Sequence, residues 1–116
     1  MLRRRGKAAR DPIAEFWSWW SGARVRVERA LVGGELGALE EEFNLQVAAI
    51  DPGLEWELSQ GRTAQHALCV TPAGKPELRS VTERWRIAGP APDSVWEHAA
   101  ARAPDPRALQ LTRPGM

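Results

Sequence analysis

A chain of 116 residues, 43% hydrophobic and 27% charged, holds enough apolar material for one buried core, and by the usual length it forms a single domain. Its one cysteine, Cys69, rules out an internal disulfide and suits a reducing, cytoplasmic setting; no apolar run approaches the ~18 residues that span a bilayer. The net charge of +1 conceals an asymmetry, because Arg3, Arg4, Arg5, Lys7 and Arg10 come first with no acid among them, and 15 acidic side chains then outnumber 11 basic ones.

Residues 1–11 therefore read as a basic, disordered arm able to contact anions such as phosphate, ahead of a mildly acidic body. The arm does not read as a secretory signal, since Asp11, Pro12 and Glu15 fall where an apolar segment should run. Asp11-Pro12 is a helix start, aspartate as N-cap and proline at the first helical position. From there to about Val32, Ile13, Phe16, Trp20, Val27 and Leu31 recur on one face, with Trp17, Ala23 and Ala30 beside them. The segment FWSWW carries three of the six tryptophans. Helical spacing turns Trp17 and Trp20 inward and leaves Trp19 at the border of the stripe, where its N–H needs a polar partner. Arg24 falls within the stripe and must snorkel outward or meet a carboxylate. Gly33-Gly34 ends this helix, and a second is expected from Glu35 to Ile50 with Leu36, Leu39, Phe43, Val47 and Ile50 on one face.

Asp51-Pro52-Gly53 stops that helix and the period changes to two. Leu54, Trp56 and Leu58 alternate with Glu55 and Glu57; after the turn SQGRTAQ, His66, Leu68 and Val70 alternate with Ala67, Cys69 and Thr71. Residues 54–71 thus read as a β-hairpin. TPAGKP breaks the chain, and a third helix is expected from Pro76 with Leu78, Val81, Trp85 and Ala88 inward. After GPAPDS, VWEHAAARA is expected as a short strand with Trp96, Ala100 and His98 on one side, although its alanines also suit a helix. The order α-α-β-β-α-β defines an α+β fold, a small three-stranded sheet with helices on one face, over residues 12–103. If the last strand runs parallel to the second, the crossover should be right-handed. Residues 104–116 read as a flexible tail.

Enzyme signatures fail on physical points. Gly74-Lys75 resembles the end of a phosphate loop, but Cys69 stands where its first glycine belongs and Pro76 where the metal-binding hydroxyl belongs. VGGELG follows a helix rather than a strand and lacks the dinucleotide spacing, and Glu35 and Glu40 to Glu42 in the helix after it would repel phosphate. One cysteine and two histidines make no clustered zinc motif. Cys69 should face away from His66, which argues against a Cys–His nucleophile. No metal or other cofactor is expected.

FWSWW, the second amphipathic helix, DPGLEWEL, HALCVTPAGKPEL and WEH together resemble a group of bacterial α+β proteins with an FWxWF-like first helix. The resemblance covers residues 12–103 and implies that fold without implying an activity. Members usually continue through a second segment of similar size. By the alternation, the outer sheet face shows Glu55, Glu57, Ala67, Cys69, Thr71, Ala99 and Ala101, and its second and third strands are small and weakly polar, suited to being covered. The expected function is a non-catalytic protein-interaction or structural module, acting as a homodimer or docked on a further segment or partner. Two alternatives are nucleic-acid binding through the basic arm, extended by Arg24, Arg26 and Arg29, and an enzyme of unrecognised type with Trp19, Arg24, His66 and His98 around a pocket.

Overall fold

In the computed structural model the first helix, α1, runs Pro12–Gly33, opened by the Asp11 carboxylate, which accepts from the Ile13 N–H at 3.0 Å. The structure describes residues 11–101. Arg3, Arg4, Arg5, Lys7, Arg10 and the tail 104–116 lie outside the described residues. At the far end of α1, Gly34 turns left-handed at φ 76°, and both its N–H and that of Glu35 donate to the Ala30 carbonyl. Because the Glu35 N–H closes the first helix, the second, α2, begins at Gly37 rather than Glu35 and runs Gly37–Ile50. Its buried side is Leu39, Phe43 and Val47, as the spacing predicts, with Leu36 and Ile50 packed at the margin.

Strands β1, Glu55–Gln60, and β2, His66–Thr71, form the antiparallel hairpin, with Trp56 opposite Val70 and Leu58 opposite Leu68. β3, Trp96–Ala99, is a strand and not a helix; it lies parallel to β2, with His66 opposite Trp96 and Leu68 opposite His98. Its pairing consumes the backbone groups that an alanine-rich helix would have used. The sheet order is β1-β2-β3, and the fold is α+β with three helices and a mixed sheet in the order expected.

The third helix differs in its start and at its last residue. A 3₁₀ turn, Pro76–Leu78, precedes α3, Arg79–Ala88. Leu78, Thr82 and Trp85 are buried, Val81 is half-buried, and Ala88 is exposed rather than inward. The buried Thr82 hydroxyl donates to the Arg79 carbonyl at 3.1 Å, so the helix satisfies it internally.

The indoles of FWSWW go to three different elements. Trp17 stacks on Trp85 of α3 at 4.8 Å and 25°; Trp19 meets Phe43 of α2 edge-on at 4.9 Å; Trp20 meets Trp96 of β3 edge-on at 4.8 Å. Phe16 packs edge-on against Trp17, Trp19 and Trp85, and Phe43 continues the cluster by stacking on Trp56 of β1 at 4.2 Å. The Trp17 indole N–H donates to the Trp85 carbonyl at 2.8 Å, fixing the angle of α3 against α1.

The outer face of the central strand is covered, with Ala67, Cys69 and Thr71 buried, whereas Ala101 at the end of the last strand is exposed. Part of that cover is the hairpin loop, whose Ala64 is buried. The loop turns so tightly at Gly61 that a Cβ there would lie 2.3 Å from the Ala64 carbonyl oxygen.

Gly89, just after α3, also leaves no room for added volume, because a Cβ would sit 2.4 Å from the Trp17 ring. Gly89→Ala should destabilise the protein by about 1–3 kcal/mol through displacement of that ring. Urea unfolding followed by tryptophan fluorescence measures it; an unchanged midpoint would show that the Trp17–Trp85 stack does not constrain the fold.

Candidate functional site

The four side chains expected around a pocket are dispersed among separate tasks. Trp19 stays at the α1–α2 border, half-buried, and its indole N–H donates to Glu42 at 2.9 Å. The partner is a carboxylate on the next helix rather than a carbonyl or solvent. Arg26 makes a bidentate contact with the same Glu42, 2.9 Å to each oxygen. The Arg26 and Trp19 donors together hold the Glu42 carboxyl at about 2, well below its ordinary value.

Of the two outcomes expected for Arg24, the structure shows the contact with carboxylates. Its guanidinium lies 3.1 Å from Asp93 and 3.5 Å from Glu28. Glu28 also accepts from the Trp96 indole at 2.7 Å, and Asp93 accepts from the backbone N–H groups of Val95 and Trp96 at 2.8 Å each. The Trp96 N–H first, then Arg24, then the Val95 N–H bring the Asp93 carboxyl to about 2. This network ties the start of β3 to the middle of α1. With Arg24 and Arg26 held by carboxylates, helix α1 offers a phosphate chain less positive surface than its three arginines suggest.

Asp93, Glu28, Glu42 and Glu97 were not singled out from sequence. The aspartate has a local signal in the breaker GPAPDS, where Asp commonly accepts from backbone N–H groups two and three residues on. Glu97 has none, because its partners are some 35 residues away. It accepts from the N–H groups of Arg62, Thr63 and Ala64 at 2.8, 3.0 and 2.9 Å and from the Thr63 hydroxyl at 3.0 Å. Partial burial opposes its ionisation, but the Arg62, Ala64 and Thr63 donors outweigh this and hold the carboxyl at about 2. The arrangement is a carboxylate nest, filled by the protein's own Glu97, that clasps the hairpin loop onto the outer side of β3.

The two histidines share the inner sheet face, yet they do not form one site. His66 lies against Trp96 at 4.9 Å, whereas His98 lies among Trp17, Trp20 and Trp85. Burial, then the nearby Arg24 charge, lowers the His98 pKa; Asp93, the Pro90 carbonyl and Glu97 pull the other way without prevailing. Glu55 and Glu57 alternate to the outer face with Cys69, away from both imidazoles.

Two open grooves are present. One, of about 490 Å³, lies between the start of β1 and the TPAGKP turn, lined by Glu55, Thr71, Ala73, Lys75, Arg79 and Ala101. The turn holds Ala73 at φ 54° and Gly74 at φ 81°, and Thr71 accepts from the Ala73 N–H at 3.0 Å. The other, of about 530 Å³, lies between α1 and α2 and includes Trp19 with Asp11, Ser18 and Gln46. Neither contains Arg24, His66 or His98. Among the described residues no group of three or more His, Cys, Asp or Glu is placed to hold a metal ion, and no helix is long and apolar enough to cross a membrane. Comparison with protein-family models, curated proteins and solved structures found no match, so neither the sequence resemblance nor any activity gains support from a relative.

The pH dependence of stability follows from these groups. Glu42, Asp93 and Glu97 have lowered carboxyl pKa values, so their contribution is present above about pH 4.5 and lost as pH falls toward 2. The lowered pKa of His98 adds a loss that begins as pH falls through its ordinary value of 6.5, because the unfolded chain takes up that proton first. Denaturant unfolding between pH 3 and 8 should show a plateau above about 7 and a decline below it. Glu97→Gln should flatten the acid limb and increase proteolysis in loop 61–65; an unchanged limb would show that the clasp does not contribute.

Proposed function

We propose that this chain is a non-catalytic interaction module that takes a partner strand on the open edge of its sheet. The observation that carries the reading is the position of β1: among the described residues its one strand neighbour is β2, and its other edge presents the backbone donors and acceptors of alternate residues along a six-residue strand. Such an edge is a template for strand addition, with main-chain hydrogen bonds supplying affinity and alternate side chains supplying selectivity. β1 is also rigidly backed, since its Trp56 stacks on Phe43 and donates to Asn44 at 2.8 Å. A pre-ordered edge loses little entropy on pairing.

The polar side chains favour this reading over an enzyme. Trp19, Arg24, Glu28, Glu42, Asp93 and Glu97 hold elements together, and none of their contacts leaves a nucleophile beside a base. Nucleic-acid binding is less favoured because Arg24 and Arg26 are neutralised within the fold.

Size-exclusion chromatography with light scattering is the first test, for self-association, followed by pull-down with the whole chain. Hydrogen exchange then reads the docking site: amides of 55–60 should slow in the complex while those of α1, remote from the edge, stay unchanged. A strict monomer that recovers no partner, or a complex that leaves 55–60 unprotected, would overturn the proposal.

A further inference from the structure

The core contains three polar atoms whose chemistry the packing does not explain. Trp20 and Trp85 are 1% and 0% exposed, and neither indole N–H has a hydrogen-bond partner; the same is true of Nε2 of His98. Buried polar groups are paired in the large majority of cases, so three orphans in one small domain call for a cause. The rings that carry them are neighbours. Trp20 from α1 and Trp85 from α3 both stand 6.4 Å from the His98 ring of β3, centre to centre, at 85° and 86° to it. Trp17 closes another side at 4.8 Å, its own N–H already used on the Trp85 carbonyl.

The donor count defines what would satisfy them. The Pro90 carbonyl accepts from the His98 ring, and Nε2 is the nitrogen without a partner, so the ring proton sits on Nδ1 and Nε2 is an acceptor. The cluster thus offers two donors, both indoles, and one acceptor. A cation would face two N–H dipoles, and an anion would face the lone pair of Nε2. A small neutral molecule that accepts twice and donates once fits all three.

We propose that the space between Trp20, Trp85 and His98 is a binding site for one buried water molecule, which accepts from both indole N–H groups and donates to Nε2 of His98. Three polar partners lie within the usual range for an internal water. The site also favours neutral His98. A proton on Nε2 would set three donors against an oxygen with two lone pairs, which adds to the effect of burial. The charged groups that act on the imidazole are Arg24 from α1, Asp93 from the loop before β3, and Glu97, which points to the other face of β3.

Nuclear magnetic resonance of the full chain tests this, with the six indole N–H signals assigned by single Trp→Phe changes. Near pH 7.5 the Trp20 and Trp85 indole protons should show rotating-frame Overhauser peaks to the water signal, and the Trp17 proton, bonded to a carbonyl, should show none. The His98 nitrogen shifts should report a proton on Nδ1 and a hydrogen-bonded, unprotonated Nε2. Missing peaks at either Trp20 or Trp85, as expected if their N–H groups point at ring faces, would overturn the site, and so would a proton on Nε2. His98→Leu removes the acceptor and should abolish both peaks; their persistence in the folded variant would also overturn the proposal. If that variant does not fold, the wild-type spectra decide by themselves.

Discussion

The distribution of the FWSWW rings among α2, α3 and β3 is the interaction on which the rest of the structure depends. A helix turns about 100° per residue, so Trp17, Trp19 and Trp20 leave α1 in different directions and a short aromatic run can reach several neighbours at once. Trp17 takes α3, Trp19 takes α2, and Trp20 takes β3. Phe16 fills the space between them with edge-on contacts to Trp17, Trp19 and Trp85. Large flat rings bury much area for few rotatable bonds, which suits a domain of this size, where the core must be assembled from few residues.

Charged side chains secure the margins of that core. Arg24 with Asp93 and Glu28 fixes the entry to β3, Arg26 and Trp19 share Glu42 across the helix pair, and Glu97 folds the hairpin loop over the sheet. Each exposed ion pair by itself contributes little. Their combined value lies in orientation, because most of these carboxylates also accept from a backbone or indole N–H that would otherwise lack a partner. The same economy removes candidates for chemistry. A carboxylate already bound by three N–H groups is a poor general base, and an arginine held by two carboxylates is a poor phosphate clamp.

Several of these features were legible in the residues before any coordinates. The Asp-Pro start of α1, the Gly34 stop, the alternation through LEWEL and HALCV, and the burial of a tryptophan stripe are local matters, decided within one turn or one strand. For Arg24 the residues leave two outcomes, an outward snorkel or a carboxylate, and the structure shows the second. The identity of that carboxylate was not legible, since Asp93 lies on another element and Glu28 is one of 15 acids. On α3 the period places Leu78, Val81 and Trp85 against the core as observed, but it does not show that Thr82 is buried and the terminal Ala88 exposed. Burial of Ala67, Cys69 and Thr71 was anticipated only as suitability, because small side chains permit a cover without naming one.

The order of elements, their faces and the α+β class rest on period and punctuation, which the amino acids carry in their own spacing. Strand direction, the partner of each charge and the meeting of Trp20, Trp85 and His98 depend on chain paths that bring distant residues together. Backbone pairing illustrates the difference. VWEHAA has the composition of a helix, and it becomes a strand because β2 offers a free edge beside it. Local propensity differs by less than the hydrogen bonds and buried ring of Trp96 contribute there, so packing prevails where the two disagree.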